Sequence, residues 1–288
     1  MRDTDLLFDD MYEPPNSDPF LVVLSYSAGR QSHRIARGVL RGEIKTPERF
    51  LVVAADPGNE HVDTQRIRDR TLAEFNAAGI HAMIAPGPKM LEELKEKKKN
   101  DANRIDHNAY WVEGGGRIRQ TCTEHYKVAP MDRVVRAYLT YHLGVTRPDK
   151  CSVENWVGFC WDERHRIKKP RVAYKQFRYP LVDLRETKKD ITDWYARTGE
   201  EMPPPSVCNH CWANGVNTYQ RIHDTDPEGW NLAVEFDNAS RDMSKFGIRE
   251  KCFCSRTLLP LEELAANGFT SKGSDTTELA CDSGVCFI

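Results

Sequence analysis

Three short apolar runs, separated by amphipathic stretches, constrain the fold more than any other feature of the sequence. The runs are FLVVL at 20–24, FLVVAA at 50–55 and IHAMIA at 80–85. Apolar runs of this length, bounded by polar segments, are typical of buried strands. The stretches between them place apolar residues at helical spacing, and they end near Gly42 and Gly79. This β-α-β-α-β order predicts a parallel sheet with right-handed crossovers, flanked by helices.

Further elements follow along the chain. The charged segment 91–106 is predicted to form a helix with a solvated face that runs into a loop, and 132–143 to form a second helix. The run ENWVGFCW at 154–161 reads as another strand. Thr187 and Asp190 have the spacing of a capping box at the start of a helix.

The composition changes near residue 185, where prolines, cysteines and turn residues become frequent. We therefore predict an N-terminal extension at 1–19, a sheet domain at 20–185 and a smaller cysteine-rich region at 186–288. No internal repeat is apparent.

The bulk composition excludes several classes of protein. The chain has 288 residues, 40% of them hydrophobic, which is enough to bury a core and excludes a disordered protein. Its net charge of -2 gives no global sign of a nucleic-acid or membrane partner. No apolar run approaches the roughly 18 residues of a membrane helix. The acidic N-terminus lacks the apolar core of a signal peptide, so the expected location is the cytoplasm.

The junction between the first strand and the first helix reads SYSAGRQS, at 25–32. It offers small hydroxyl residues, a glycine that allows close backbone approach, and an arginine. A helix N-terminus preceded by such a loop is suited to bind phosphate or pyrophosphate. The loop matches neither the Walker A pattern nor Gly-x-Gly-x-x-Gly, and a plain βα turn is the structural alternative.

Four stretches, in order over 20–200, resemble the phosphoadenosine phosphosulfate (PAPS) reductase-like branch of the PP-loop superfamily. SAGRQS at 27–32 is similar to the superfamily loop Ser-Gly-Gly-x-Asp-Ser. ADPGNEHVDT at 55–64 resembles the Asp-Thr-Gly-x-Glu stretch of the branch. QTCTEHYKVAPM at 120–131 and GFCWDERHR at 158–166 resemble Cys-Thr-x-x-x-Lys-x-x-Pro and Gly-x-x-x-x-Glu-x-x-Arg. The segment YPLVDLRETKKDITDWYAR resembles the helix that follows in this branch.

The resemblance implies an adenine nucleotide alpha hydrolase-like α/β fold that binds ATP, with Mg²⁺ as a possible companion, or PAPS. The implied reaction is adenylation-linked sulfur transfer or phosphosulfate reduction, by a transferase or an oxidoreductase. The implied nucleotide-binding residues are Ser25, Ser27, Ala28, Gly29, Arg30, Gln31, Ser32, Asp56 and Asn59. The implied catalytic residues are Arg30, Lys127, Glu163 and Arg166.

The sequence departs from the family pattern in three places. Ala28 replaces the first loop glycine, and Gln31 stands where ATP-cleaving members carry the aspartate that organises Mg²⁺ and the phosphates. The C-terminal Glu-Cys-Gly-x-His segment of PAPS reductases is missing, and the chain ends ACDSGVCFI. These departures favour an alternative, a non-catalytic nucleotide-binding or metal-stabilised module of a nucleic-acid-modifying complex.

Nine cysteines without a signal peptide argue against a disulfide framework. Six of them form close pairs, namely Cys208 with Cys211, Cys252 with Cys254, and Cys281 with Cys286. Two pairs would supply four thiolates for Zn²⁺ or a [4Fe–4S] cluster, which some PP-loop sulfur-transfer enzymes carry. Cys208 and Cys211 are the favoured ligands, with His210 as a further zinc ligand; a redox dithiol and structural cysteines remain alternatives. Cys122, near the predicted phosphate site, is expected to pack rather than to act as a thiol nucleophile.

Between 164 and 178 the chain has seven Lys or Arg residues and no acids. A solvated edge is the expected role of most of them, but together they predict a docking strip for a polyanion such as tRNA or DNA. The predicted partners are an adenine nucleotide and a nucleic-acid or sulfur-carrier acceptor, without a membrane. A homo-oligomer is possible.

Overall fold

A computed structural model describes residues 18–100, 102–105, 110–167 and 174–270. The strands are β1 (Leu21–Tyr26), β2 (Phe50–Ala55), β3 (His81–Ala85), β4 (Trp111–Val112), β5 (Val153–Trp156), β6 (Lys175–Arg178) and β7 (Cys252–Phe253). The α-helices are α1 (Arg30–Leu40), α2 (Val62–Ala77), α3 (Met90–Lys99), α4 (Ala129–Ala137), α5 (Pro180–Asp183), α6 (Lys188–Thr198), α7 (Val216–Thr225), α8 (Pro227–Ser240) and α9 (Leu261–Ala266).

The main sheet has five strands in the order β3-β2-β1-β5-β6, and every neighbouring pair is parallel. Side chains of the central strand β1 alternate between two cores: Leu24 faces one and Val23 faces the other. A parallel strand covered on both faces by helices needs apolar residues at both alternating positions, which explains the continuous run FLVVL. The predicted α/β fold with a parallel sheet between helices is confirmed.

Helix α6 belongs to the core of the main sheet. Its Ile191, Trp194 and Tyr195 pack in the same hydrophobic cluster as alternate residues of β1. The Thr187–Asp190 capping box is confirmed, since the Thr187 amide donates to the Asp190 carboxylate at 2.9 Å. The sheet unit therefore continues past residue 185, where the composition changes; the division into domains stays a prediction.

One sequence-based expectation differs from the structure, and one strand was not predicted. The strand expected over 154–161 ends at Trp156, after which the chain turns into a 3₁₀ helix at Trp161–Arg166. The charged helix ends at Lys99, and a loop follows it, as predicted. Strand β6 arises within the basic stretch, which shows no strand pattern in the sequence. Lys175 is buried there because Asp132 pairs with it.

The region after α6 builds a second core. Helices α7, α8 and α9 pack around Tyr110, Tyr219 and Phe236, and the short antiparallel pair of β4 and β7 lies against them. In the described part of the chain no helix is long and apolar enough to cross a membrane.

Candidate functional site

The 25–32 loop lies at the carboxyl end of the central strand, where parallel α/β sheets bind ligands. Ala28 has φ 54, in the left-handed region, and Gly29 is the N-cap of α1. The Ser27 and Ser32 hydroxyls lie 2.9 Å apart, and the Ser27 amide donates to Ser32 Oγ at 3.3 Å. Ser25 is the next-to-last residue of β1, just before this turn. The loop is thus a compact turn held by its own serines.

The loop after β5 packs directly against this turn. A Cβ atom on Gly158 would lie 2.7 Å from the Ser32 backbone nitrogen and 2.9 Å from its Cα. Because both contacts are with backbone, no side-chain movement could relieve them. Only glycine at 158 allows the two loops to approach so closely.

The electrostatics at the start of α1 favour an anion. The first turn carries no acidic residue, and Arg30 is its first residue. Arg30 Nε donates to the Pro203 carbonyl at 3.3 Å, and Tyr195 donates to the Arg30 carbonyl at 2.9 Å. The guanidinium is therefore held beside helix amides whose partial charge is positive.

Gln31 faces a buried carboxylate. Its amide donates to Glu163 Oε2 at 3.4 Å, while Arg166 pairs with Glu163 Oε1 at 3.0 Å and Lys188 lies 3.7 Å from it. Aspartate at position 31 would bring a second carboxylate against Glu163, which explains the amide there. Burial, and then Glu163, raise the pKa of the adjoining Cys160 thiol to about 12.

The carboxyl end of β2 supports neighbouring segments. Asp56 pairs with Lys89 at 2.8 Å and with Arg68 at 3.6 Å; burial opposes its ionisation, but these cations hold its pKa below the usual value. Asn59 accepts from the Asn209 amide at 3.2 Å, and its own amide lies 3.2 Å from His210 Nδ1. Asp56 and Asn59, which were predicted to bind the nucleotide, thus lie at the expected edge of the sheet. Asn59 also anchors the segment that carries Cys208 and Cys211, which we call the cysteine segment.

A proline-rich segment covers the 25–32 loop. Ser206 Oγ donates to the Ser27 carbonyl at 2.7 Å, and its Cβ lies 3.0 Å from the Cβ position of Gly29. This serine was not predicted from the sequence; its place two residues before Cys208 in SVCNHC is the available signal. Through it the C-terminal region reaches the loop.

Three cysteines from two distant segments line one small cavity of about 10 Å³, which we call the cysteine cavity. That volume holds about one water molecule. Its lining residues are Met90, Gln120, Cys122, Thr123, Tyr126, Lys127, Cys208, His210, Cys211 and Trp212. Cys122 packs against the second core, as expected, and it also lines the cavity with Cys208 and Cys211 of the C-x-x-C pair.

A buried cation lies at the wall of the cysteine cavity. Lys127 Nζ is 3.6 Å from Glu60 Oε1, and Arg68 reaches the other Glu60 oxygen at 4.0 Å. Burial raises the pKa of Glu60, against the opposing effect of Lys127. Glu60 also forms a backbone bridge with Cys208, so the end of β2 and the cysteine segment are joined at this point.

His210 lines the same cavity with a buried, uncharged imidazole ring. Its ring stacks on Phe236 with 3.8 Å between centroids, and its Nε2 lies 3.3 Å from Met90 Sδ. Burial, and to a lesser degree Lys127, lower its pKa to about 3. The ring therefore has the protonation state that a metal ligand needs, but its nitrogens already contact Asn59 and Met90.

The other cysteine pairs are not brought to this cavity. Cys252 and Cys254 lie in the second core, where the Cys254 amide donates to Asp237 at 2.8 Å. Burial raises the pKa of Cys252 to about 11 and that of Cys254 well above its usual value. Cys281 and Cys286 lie outside the described residues. Across the described ranges no three His, Cys, Asp or Glu side chains are grouped closely enough to hold a metal, so the predicted set of two cysteine pairs is not assembled there.

The basic stretch 164–178 is not a free docking strip where the structure describes it. Arg166 pairs with Glu163, Lys175 with Asp132, and Arg178 with Asp183 at 2.8 Å. Residues 168–173 lie outside the described part. These cations hold the sheet edge to its neighbouring turns.

The sequence matches no family model and no curated protein. Among solved structures, the "U34-tRNA thiolase NcsA from Methanococcus maripaludis with its [4Fe-4S] cluster" is similar over 77% of this chain and 73% of that chain. The two are 11% identical, with a TM-score of 0.38. A likeness this distant carries no argument about what the present chain does.

Proposed function

We propose that this chain binds an adenine nucleotide at the 25–32 loop and performs sulfur chemistry at the cysteine cavity. One observation carries the proposal: the segment 203–212 contacts both places. Its Ser206 donates to the Ser27 carbonyl, and its Cys208 and Cys211 line the cavity with Cys122. A phosphate-binding type of turn and a set of thiols are thus parts of one connected site.

The nucleotide phosphates would bind at the first turn of α1. The amides of that turn, the hydroxyls of Ser27 and Ser32, and Arg30 supply donors in a turn that itself carries no acidic residue. Fixed donors and cations of this kind stabilise charge that develops on phosphate oxygens during reaction. Lys127 adds a cation on the cavity side, and Glu163 holds Arg166 as a positioning residue on the other.

The thiols match, by type, the donors that bind zinc or an iron–sulfur cluster. The described side chains of Cys122, Cys208 and Cys211 are not grouped closely enough to hold such a group, and the cavity of about 10 Å³ has room for about one water molecule. No step of the proposed reactions therefore runs through a metal. Without any metal, the same three thiols remain available for persulfide and disulfide chemistry.

With ATP, the reaction is adenylation-linked sulfur transfer. An acceptor oxygen attacks the α-phosphorus, the bond to the β-phosphate oxygen breaks, and pyrophosphate leaves. A cavity cysteine that a sulfur donor has loaded with a persulfide attacks the acceptor carbon through its terminal sulfur; the carbon–oxygen bond breaks, AMP leaves, and the acceptor stays joined to the cysteine by a sulfur–sulfur bond. A second cavity thiolate attacks the cysteine sulfur of that bond, which releases the thiolated acceptor and leaves a cysteine disulfide. An external dithiol reduces that disulfide.

Phosphosulfate reduction is the second candidate, and the Gln31–Glu163 contact favours it, because the loop offers no carboxylate for Mg²⁺. A cavity thiolate attacks the sulfur of PAPS, the sulfur–oxygen bond breaks, and adenosine 3′,5′-bisphosphate leaves. A second thiol attacks the resulting S-sulfonate, so that a disulfide forms and sulfite is released. An external dithiol restores the two thiols.

Product analysis separates these reactions. Anaerobically purified protein is incubated with ATP–Mg²⁺, a donor of persulfide sulfur and candidate acceptors, or with PAPS and a dithiol, and the nucleotide products are resolved by chromatography. AMP with pyrophosphate identifies sulfur transfer, whereas adenosine 3′,5′-bisphosphate with sulfite identifies reduction. Either product should disappear in Cys211→Ser. If nucleotide binds but neither product forms, the protein is better described as a non-catalytic nucleotide-binding module than as an enzyme.

A further inference from the structure

We propose that an arginine–tryptophan platform beside the cysteine cavity binds an unstacked base of a single-stranded nucleic acid. The platform consists of Trp111, Arg117, Trp212 and Arg256. This proposal rests on the proposed function, because it names the class of acceptor, a single-stranded nucleic acid, that would react at the cysteine cavity.

The platform consists of two arginine–tryptophan pairs, each with a guanidinium over an indole ring. The Arg117 guanidinium lies over the Trp212 ring, 3.9 Å from its centroid, and Arg256 lies over Trp111 at 5.5 Å. The two indoles meet edge to face, with 6.1 Å between centroids. Both arginines are exposed, whereas Trp212 is only 5% exposed. An incoming base would therefore stack on the guanidinium plane of Arg117, which continues the stack of Trp212.

Hydrogen bonds fix the indoles in place. Trp111 Nε1 donates to the Trp212 carbonyl at 3.0 Å, and Trp212 Nε1 donates to Gln120 Oε1 at 2.8 Å. Trp212 and Gln120 also line the cysteine cavity. A base held on the platform is thus next to the thiols of Cys122 and Cys211.

The turn between Trp111 and Arg117, two residues that an isolated antiparallel bridge joins, leaves room for a strand of nucleic acid. Its tip is formed by Gly114, Gly115 and Gly116, which have φ between 92 and 95, and no atom lies within 4 Å of their Cβ positions. The Gly115 amide donates to the Val112 carbonyl at 3.0 Å, so a phosphate chain would use the open space at the tip and not that amide. Arg119, also exposed, lies two residues beyond Arg117.

The combination of groups favours nucleic acid over a protein partner. Aromatic rings capped by arginines provide stacking surfaces and phosphate-binding charge together, which is how single strands are bound without a fixed sequence. A duplex keeps its bases stacked inside and offers no face to such a platform. In the predicted strip 164–178, by contrast, three of the four described Lys and Arg residues form internal ion pairs, and the fourth, Arg164, lies over the Trp161 ring.

The test is fluorescence anisotropy with labelled mixed-sequence 15-mers of single-stranded RNA and DNA, titrated with the full chain at several salt concentrations. Arg117→Gln should weaken binding about tenfold, the effect of losing one stacked contact. The matched control is Arg136→Gln, because Arg136 is also exposed and lies 5.7 Å from the Tyr174 ring centroid at the predicted strip. The control should change affinity by less than about twofold. Arg117→Lys, which keeps the charge but loses the plane, should recover only part of the loss.

The proposal is overturned if no single strand binds at low salt, or if duplex binds more tightly than single strands. It is also overturned if Arg136→Gln weakens binding as much as Arg117→Gln, or if only a sulfur-carrier protein binds the platform. Calorimetry of Arg117→Gln with ATP–Mg²⁺ and PAPS separates the two proposals. Unchanged nucleotide binding with lost strand binding supports the platform, whereas strand binding without any nucleotide binding contradicts only the proposed function.

Discussion

The 25–32 loop and the cysteine cavity are built in opposite ways. The loop is one short stretch at a single strand–helix junction, held by contacts such as that between Ser27 and Ser32. The cavity is assembled from the 120–127 segment, the 208–212 segment and Met90, which are distant in the sequence. A local turn keeps its shape through its own backbone, whereas an assembled cavity depends on how separate elements pack. A substitution in the loop should therefore impair the loop alone, and a substitution in the cavity should impair the cavity alone.

The largest effect is expected for Cys211→Ser, which removes a cavity thiol. Turnover of ATP or PAPS should fall at least about 100-fold, since an oxygen cannot replace the sulfur as nucleophile or soft ligand. Nucleotide affinity should stay unchanged, because the loop is untouched. Steady-state kinetics and calorimetry measure the two quantities.

Cys151→Ser is the matched control, because Cys151 is a half-buried cysteine that packs beside the sheet, away from the cavity. Its turnover should match that of the wild type. Equal losses in both variants would mean that the cavity has no special part in the chemistry.

Gly158→Ala should act on the loop alone. A methyl group 2.7 Å from the Ser32 nitrogen forces the two loops apart, and overpacking of this kind costs about 1–3 kcal/mol of unfolding free energy. Nucleotide affinity should fall with it. Urea denaturation reports the stability, and alkylation of the cavity thiols with iodoacetamide should proceed at the wild-type rate. Faster alkylation would show that loop and cavity are one mechanical unit.

Arg30→Ala should weaken binding of ATP or PAPS about tenfold, the effect of removing one charge-assisted contact with phosphate. Arg41→Ala is the control, because Arg41 lies just beyond the other end of α1 and pairs with Glu43 and Glu200. Calorimetric titration of both variants measures the difference. Equal affinities in the two variants would place the nucleotide elsewhere.

The last prediction concerns pH. Burial lowers the pKa of His33, on α1 behind the loop, to about 3, with Arg37 and Arg70 adding to the shift. The unfolded chain binds this proton near pH 6.5, so stability should fall as the pH drops below about 6.5, by up to about 1.4 kcal/mol per pH unit. His33→Gln should flatten this slope, as seen in urea midpoints between pH 7.5 and 5. If the slope is unchanged in His33→Gln, the pH dependence of stability comes from other histidines and the prediction is wrong.

The sequence predicts local features well and assembled ones poorly. The strands β1, β2 and β3 and the turn after β1 follow from runs of neighbouring residues, and the structure contains them. β6 was not predicted, because the buried Lys175 is compensated by Asp132, which is 43 residues away. In the same way, spacing alone favoured pairing Cys208 and Cys211 with another close pair, whereas the fold brings in Cys122. Ser206 and Glu60 were missed because only the packed structure shows what they contact.

One experiment tests the central claim, that a nucleotide-binding loop and a thiol cavity form one site with separable parts. Calorimetric titrations of ATP–Mg²⁺ and of PAPS are run on the anaerobically purified wild type, Arg30→Ala and Cys211→Ser. The account predicts saturable binding of at least one nucleotide to the wild type, about tenfold weaker binding to Arg30→Ala, and wild-type affinity in Cys211→Ser. Failure of both nucleotides to bind the wild type, or binding that is indifferent to Arg30, would contradict it.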